Sequence, residues 1–277
     1  MRRLLFVVTA VVLSVVSLAC GGGDAEETSP ESALAQVAAN TAGSGTARVS
    51  STVTRMIESL ADPLTMTGEG VVDFASQRSQ ITMDLSELAA ATGGLVGGEM
   101  ESRLVDLVIY MRFPPGLAQL PSGKSWVRLD LRAGAEALGI DVQALMQQAG
   151  TDPTQWLDFI ESAGDDFTVV GEEEVRGVPT THYRGTIDFR KLAAEGPENL
   201  RETYESMIEL SGVDEVRMEI WLDDEGRARR YEYDQPLPSS GTVQGTQTVT
   251  TEYYDFGVEV DVEPPPADQV IDVSELP

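Results

Sequence analysis

The chain has one cysteine and one histidine in 277 residues, and only 19 Lys and Arg against 46 Asp and Glu. Each shortage excludes a kind of chemistry. The lone Cys20 forms no internal disulfide, so in an oxidising compartment the fold must stand on its apolar core. The lone His182 gives no zinc constellation, and a solitary histidine in a strand pattern reads as structural or exposed rather than as a ligand. Too few basic residues are clustered to neutralise a phosphate backbone, which excludes nucleic acid as a partner. No Gly-x-Ser-x-Gly elbow is present. Gly93-Gly94 and Gly97-Gly98 lack the lysine of a phosphate-cradling loop. Glu172 to Glu174 and Asp223 to Glu225 lack calcium-loop spacing and read as solvated turns. The longest apolar run, Leu4 to Leu18, is about 15 residues, short of the roughly 18 to 20 of a membrane span. The expectation is a protein with no catalytic group, metal or cofactor.

What is present begins at the N-terminus. Arg2 and Arg3 precede the apolar run, which ends in Ser17-Leu18-Ala19 and a glycine stretch rather than a basic flank, the profile of a signal peptide over residues 1 to 19. Ser17-Leu18-Ala19-Cys20 followed by Gly21-Gly22-Gly23-Asp24 resembles the lipobox and tether of bacterial lipoproteins. That resemblance implies lipidation of Cys20, a flexible tether over 20 to 31, and anchoring on the extracytoplasmic face of the cell membrane. Two or three acyl chains anchor stably without a basic patch. Removal of residues 1 to 19 leaves 17 basic against 46 acidic residues, a formal charge of −29. Such a surface repels anionic headgroups and favours a monomer.

Hydrophobic periodicity divides the rest. Ser32 to Thr41 is Ala-rich with Leu34, Val37 and Ala38 at helical spacing, and Gly43-Ser44-Gly45 stops it. From Thr46 the period becomes two, and strands are expected around Val49 to Val53, Leu64 to Phe74, Ile81 to Leu85 and Lys124 to Leu131. Residues 86 to 100 read as a flap or short helix. Val105, Leu107, Ile109, Met111 and Phe113 alternate as one strand ended by Pro114-Pro115-Gly116. Helices are expected at 134–138, 141–148 and from Asp152-Pro153 to Ile160. Strands resume at Phe167 to Val175 and Thr180 to Phe189 around an Arg176-Gly177 hairpin. A helix over 196–210 follows, then a meander of Val216 to Leu222, Ala228 to Tyr233 and Thr246 to Phe256, and a polar, Pro-rich tail.

The economical architecture is α+β: one strongly curved antiparallel sheet, a half-barrel over 32–272, with helices packed on its concave face and residues 273–277 as a tail. His182-Tyr-Arg-Gly-Thr-Ile-Asp188, Glu219-Ile-Trp-Leu-Asp-Asp-Glu-Gly-Arg227, Tyr253-Tyr-Asp-Phe-Gly257 and Pro264-Pro-Pro-Ala-Asp-Gln-Val-Ile-Asp272 resemble the C-terminal half of actinobacterial LppX/LprG-type lipoproteins. The resemblance implies a LolA-like half-barrel whose apolar cavity binds acylated lipid or glycolipid and carries it through the envelope, with a membrane transporter as a further candidate partner. Alternation supplies the candidate liners: Val53, Ile81, Met83, Leu107, Ile109, Met111, Met218 and Ile220. Methionine suits an adaptable wall for flexible chains. The competing reading gives these residues to a filled core and makes the protein an interaction or sensing lipoprotein.

Overall fold

The first described element is α1, Pro30–Gly43, which opens on a proline whose missing N–H costs nothing in a first helical turn. It starts two residues before the expected domain boundary, and Gly45, at φ 78°, turns the chain into the first strand. In this computed structural model the described residues are 30–91, 93–94, 97–114, 120–133, 167–195, 201, 204–205, 208–209, 212–237 and 244–276.

Twelve strands form one open sheet in the order β12-β6-β5-β4-β3-β2-β1-β11-β10-β9-β8-β7. Their order follows from two meanders. The first runs outward from the centre as β1 (Thr46–Ile57), β2 (Leu64–Asp73), β3 (Arg78–Asp84), β4 (Glu99–Val105), β5 (Val108–Arg112) and β6 (Trp126–Asp130). The chain then re-enters at the far edge and returns as β7 (Thr168–Val175), β8 (Val178–Asp188), β9 (Glu215–Leu222), β10 (Ala228–Pro236) and β11 (Gly245–Tyr254), which pairs with β1 over ten positions. All these pairings are antiparallel, while β12 (Val270–Asp272) lies parallel to β6.

The two ends of the sheet differ. Close reversals lie at one end: Asp106-Leu107 between β4 and β5, Arg176-Gly177 between β7 and β8, and Asp223 to Arg227 between β9 and β10. The other end carries the longer excursions, among them the β1–β2 loop, α2 (Ser86–Ala91) between β3 and β4, and α3 (Phe189–Glu195) between β8 and β9. The Asp84 carboxylate accepts from the Ser86 amide at 2.8 Å, which starts α2.

Several expectations change. Val105 to Phe113 is not one strand, because Asp106 (φ 51°) and Leu107 (φ 66°) take consecutive left-handed conformations and fold β4 back on β5. Of the flap or short helix expected at 86 to 100, the short helix is present as α2, and Glu99 already belongs to β4. Phe189 starts α3 instead of ending a strand. Glu172 to Glu174 lie in the exposed edge strand β7 rather than in a turn. The helices expected at 134–138, 141–148 and 152–160 fall outside the described residues. Of the helix at 196–210, residues 201, 204–205 and 208–209 are described as helical.

The Pro-rich tail is also a structural element. From Gly257, whose amide donates to Thr46, the chain crosses the outer face diagonally to β12. It takes a hydrogen bond from Thr46 at the Val258 carbonyl (2.6 Å), from Arg78 at Val262 (3.4 Å) and from Arg103 at Glu263 (3.0 Å). Val262 and Pro265 are buried under it. Beside it the guanidiniums of Arg103 and Arg112 lie over the Trp126 ring and both pair with the buried Glu101 carboxylate. The supposed tail 273–277 includes a 3-10 turn at Val273–Glu275.

Candidate functional site

Residues paired across an antiparallel ladder point to the same side, so the register sorts the side chains into two faces without further assumption. Met218 pairs with Tyr233, Tyr233 with Val249, Val249 with Val53, and Val53 with Met66. Two residues along, Gly68 pairs with Met83 and Met83 with Met100. Two further on, Gly70 pairs with Ile81, Ile81 with Ser102, Ser102 with Met111 and Met111 with Val127. Leu104, Ile109 and Leu129 complete the set, and Tyr183, Ile220 and Tyr231 carry it to the other wing. Seven of the eight candidates, Val53, Ile81, Met83, Ile109, Met111, Met218 and Ile220, therefore share one face. The eighth does not: Leu107 is buried within the β4–β5 turn, where its positive φ takes it out of the strand alternation. Cys20 lies outside the described residues.

This is the inner face, because α1 packs on it. Leu34 and Val37 form a buried cluster with Phe167, Tyr183, Ile220, Leu222 and Ala228, and Met218, Tyr231 and Tyr253 pack against that cluster. A second cluster joins Leu192 and Ala193 of α3 to Ile187 and Tyr204, again with Met218 beside it. The Thr41 hydroxyl accepts from the Ala228 amide at 2.9 Å and fixes the C-terminal turn of α1 against β10. Gly68 and Gly70 also lie on this face. A Cβ on Gly70 would sit 2.1 Å from the Gln80 carbonyl, and one on Gly68 would sit 2.3 Å from the Met83 sulfur. Glycine at both sites permits this close approach of β3 to β2.

The inner face is chemically uneven. Its β1–β6 wing is aliphatic and rich in sulfur, with Met66, Met83, Met100 and Met111 among Val, Ile and Leu. Its β8–β11 wing carries phenols: Tyr231 and Tyr233 stack at 6.3 Å, and Phe74 meets Tyr253 edge-on at 5.5 Å. Burial, with Tyr231 beside it, pushes the Tyr253 hydroxyl far above the usual phenol range, so it stays neutral. Met66, Met100, Leu104, Leu129 and the three tyrosines were not named from sequence. Met66 stood in a strand pattern already, whereas Met100 was hidden by the supposed flap.

Most of the described charge lies on the outer face, in ordered networks. His182 is buried there, stacked on Trp221 at 4.2 Å, with Nδ1 at 2.9 Å from Glu173 and Nε2 at 2.7 Å from Glu219. A carboxylate only accepts, so both contacts are hydrogen bonds when both ring nitrogens carry protons. The geometry makes His182 a tie between β7, β8 and β9. The Arg184 guanidinium beside Glu219 holds that carboxyl below its ordinary range against the opposing effect of burial. Asp223 is not a solvated turn residue, since its side chain is wholly buried and meets both Arg227 and Arg229. Burial pushes its carboxyl upward, but the Arg227 amide and the two guanidiniums outweigh it and set it low. Among the described residues no three His, Cys, Asp or Glu are grouped to hold a metal ion. Nor, among them, is any helix long and apolar enough to cross a membrane. Surface clefts of about 370, 490 and 560 Å³ are lined mostly by polar and charged residues.

Fold and face together define an open, curved antiparallel sheet with helices on an apolar inner side. No protein-family model matches the chain. It is 27% identical over 263 residues to an uncharacterized 31.2 kDa protein of Streptomyces griseus, covering 90% of this chain and 80% of that one. It is 28% identical over 253 residues to "Putative lipoprotein SCO4650" of Streptomyces coelicolor, covering 88% and 75%. Among solved structures it is similar to the Mycobacterium tuberculosis lipoprotein LppX, at 13% identity and a TM-score of 0.49, covering 84% of this chain and 97% of that one. Of the two Streptomyces relatives, one is named as a putative lipoprotein.

Proposed function

We propose that this protein is a membrane-anchored lipoprotein of the extracytoplasmic face, that it binds acylated lipid or glycolipid against the inner face of its sheet, and that it acts without catalysis, as a carrier or chaperone in envelope lipid transport. The observation that carries the reading is the continuous apolar register from Met218 through Val53 to Val127. A filled core needs only complementary packing. A methionine-rich wing suits a ligand whose chains vary in shape. Transfer of an acyl chain from one apolar surface to another needs no chemistry, and fifteen methylenes are worth about 12 kcal/mol gross on burial. The lipoprotein name of the Streptomyces coelicolor relative and the Ser17 to Cys20 sequence both support attachment through a lipidated Cys20.

The test is lipid extraction and native mass spectrometry of the full-length protein from an actinobacterial host. The expected result is a near-stoichiometric acyl lipid beyond the anchor, reduced about tenfold in Ile109→Trp and in Met83→Trp variants that keep the wild-type melting temperature within a few degrees. A protein that carries no such lipid and takes up none on addition is the interaction module with a filled core.

A further inference from the structure

From β8 through β6 the registered positions of the inner face hold one ionised residue, while the edge strand β7 adds the exposed Glu172 and Glu174 beside Thr181 and Pro179. Following each ladder from β8 through β6, the inward positions are apolar, hydroxyl, amide or glycine, with the single exception of Arg55 in β1. Arg55 pairs across to Gln247 on β11 and to Leu64 on β2, and stands two residues before the end of its strand. That end is the one with the long excursions, where Met56 and Leu60 are exposed, 54% and 39%.

Among the described half-buried arginines, Arg55 differs in its partner. Arg48, Arg78, Arg103, Arg112, Arg128 and Arg176 all reach a carboxylate within 4 Å. The half-buried Arg55 has instead a neutral partner, its Nε donating to the Gln247 side-chain oxygen at 3.2 Å. A guanidinium offers five N–H donors in a planar fork, and one amide acceptor uses one of them. Placing a cation on an apolar face costs desolvation, which an anion in bidentate contact offsets.

We propose that Arg55 is the headgroup site of this face and that it selects acyl lipids whose headgroup is anionic, a phosphate or a carboxylate. The chains then lie along the aliphatic wing toward Met83 and Met111, and the headgroup stays at the end of the sheet beside Met56. This deepens the carrier reading and rests on it. It also reconciles the strongly acidic exterior with an anionic ligand, because the surface rejects such headgroups everywhere except at a site built from a cation and apolar walls.

The experiment is competition read by native mass spectrometry. The full-length protein is offered equimolar phosphatidylglycerol and phosphatidylcholine with identical acyl chains, as wild type, Arg55→Gln and Arg55→Lys. Wild type is expected to favour the anionic lipid about tenfold, the increment of one charge-assisted contact. Arg55→Gln should bind the two lipids about equally, with the larger loss falling on phosphatidylglycerol, and Arg55→Lys should keep part of the preference. A preference that survives Arg55→Gln, or its absence in wild type, overturns the proposal while phosphatidylcholine binding leaves the carrier reading standing. Binding of neither lipid overturns both. Inorganic phosphate alone should not displace the lipid at millimolar concentration, and displacement by it would make Arg55 a site for the free anion and overturn the assignment.

Discussion

At the scale of single residues, the buried carboxylates of the outer face set the acid stability. Asp223 lies in the β9–β10 reversal with Arg227 and Arg229 on its oxygens, and Glu101 lies between Arg103 and Arg112. Burial alone would raise both carboxyls, yet their hydrogen bonds and neighbouring charges hold both below the ordinary range. A carboxyl whose folded value is depressed contributes stability above its unfolded value and loses it as pH falls through the folded one. The melting temperature should therefore fall below about pH 4. Asp223→Asn, which leaves two guanidiniums uncompensated, should cost about 3 kcal/mol at neutral pH and flatten the dependence between about pH 5 and 3, both checked by thermal melts across pH. These partners were not legible in the sequence, where Asp223 to Glu225 looks like any acidic turn. Pairing depends on a β-bulge between Ala228 and Arg230 that no local pattern announces. Leu107 escaped for a related reason. Hairpin turns with two positive φ values favour Asn-Gly, and Asp106-Leu107 has neither the glycine nor the break in alternation that would mark it.

At the scale of elements, the strands were the legible part because their code is local. Alternation fixed which residues of β1, β3, β5 and β9 share a side, and seven named side chains fell on one face. What could not be read was how one strand approaches the next. Gly68 and Gly70 look like weaknesses in a strand pattern, yet a side chain at either would collide with β3. Gly70→Ala should lower stability by about 2 to 3 kcal/mol in denaturant melts, since its Cβ meets backbone rather than a side chain that could move aside. A loss under about 0.5 kcal/mol would mean that the pairing of β2 with β3 does not depend on this approach. The outer strap from Gly257 to Gln269 was unreadable for the opposite reason. Its buried residues, Val262 and Pro265, are separated by acids and prolines and follow no period, so burial there is set by the sheet beneath.

At the scale of the whole molecule, the separation of chemistry between the two faces is the feature that matters. The outer face holds its charge in paired networks, among them Glu101 with Arg103 and Arg112, and Glu173 and Glu219 about His182. From β8 through β6 the inner face is uncharged along its registered length apart from Arg55. The first described helix, α1, lies on that inner face, and Cys20 stands ten residues before its first residue in sequence. The measurement that bears most directly on lipid binding by the inner face is photo-crosslinking of the full-length protein with a diazirine-bearing acyl lipid, mapped by peptide mass spectrometry. The account predicts crosslinks on inward residues of β3, β5 and β9, such as Met83, Met111 and Met218, competed away by unlabelled lipid. Crosslinks confined to outward residues, or none that unlabelled lipid displaces, would contradict it.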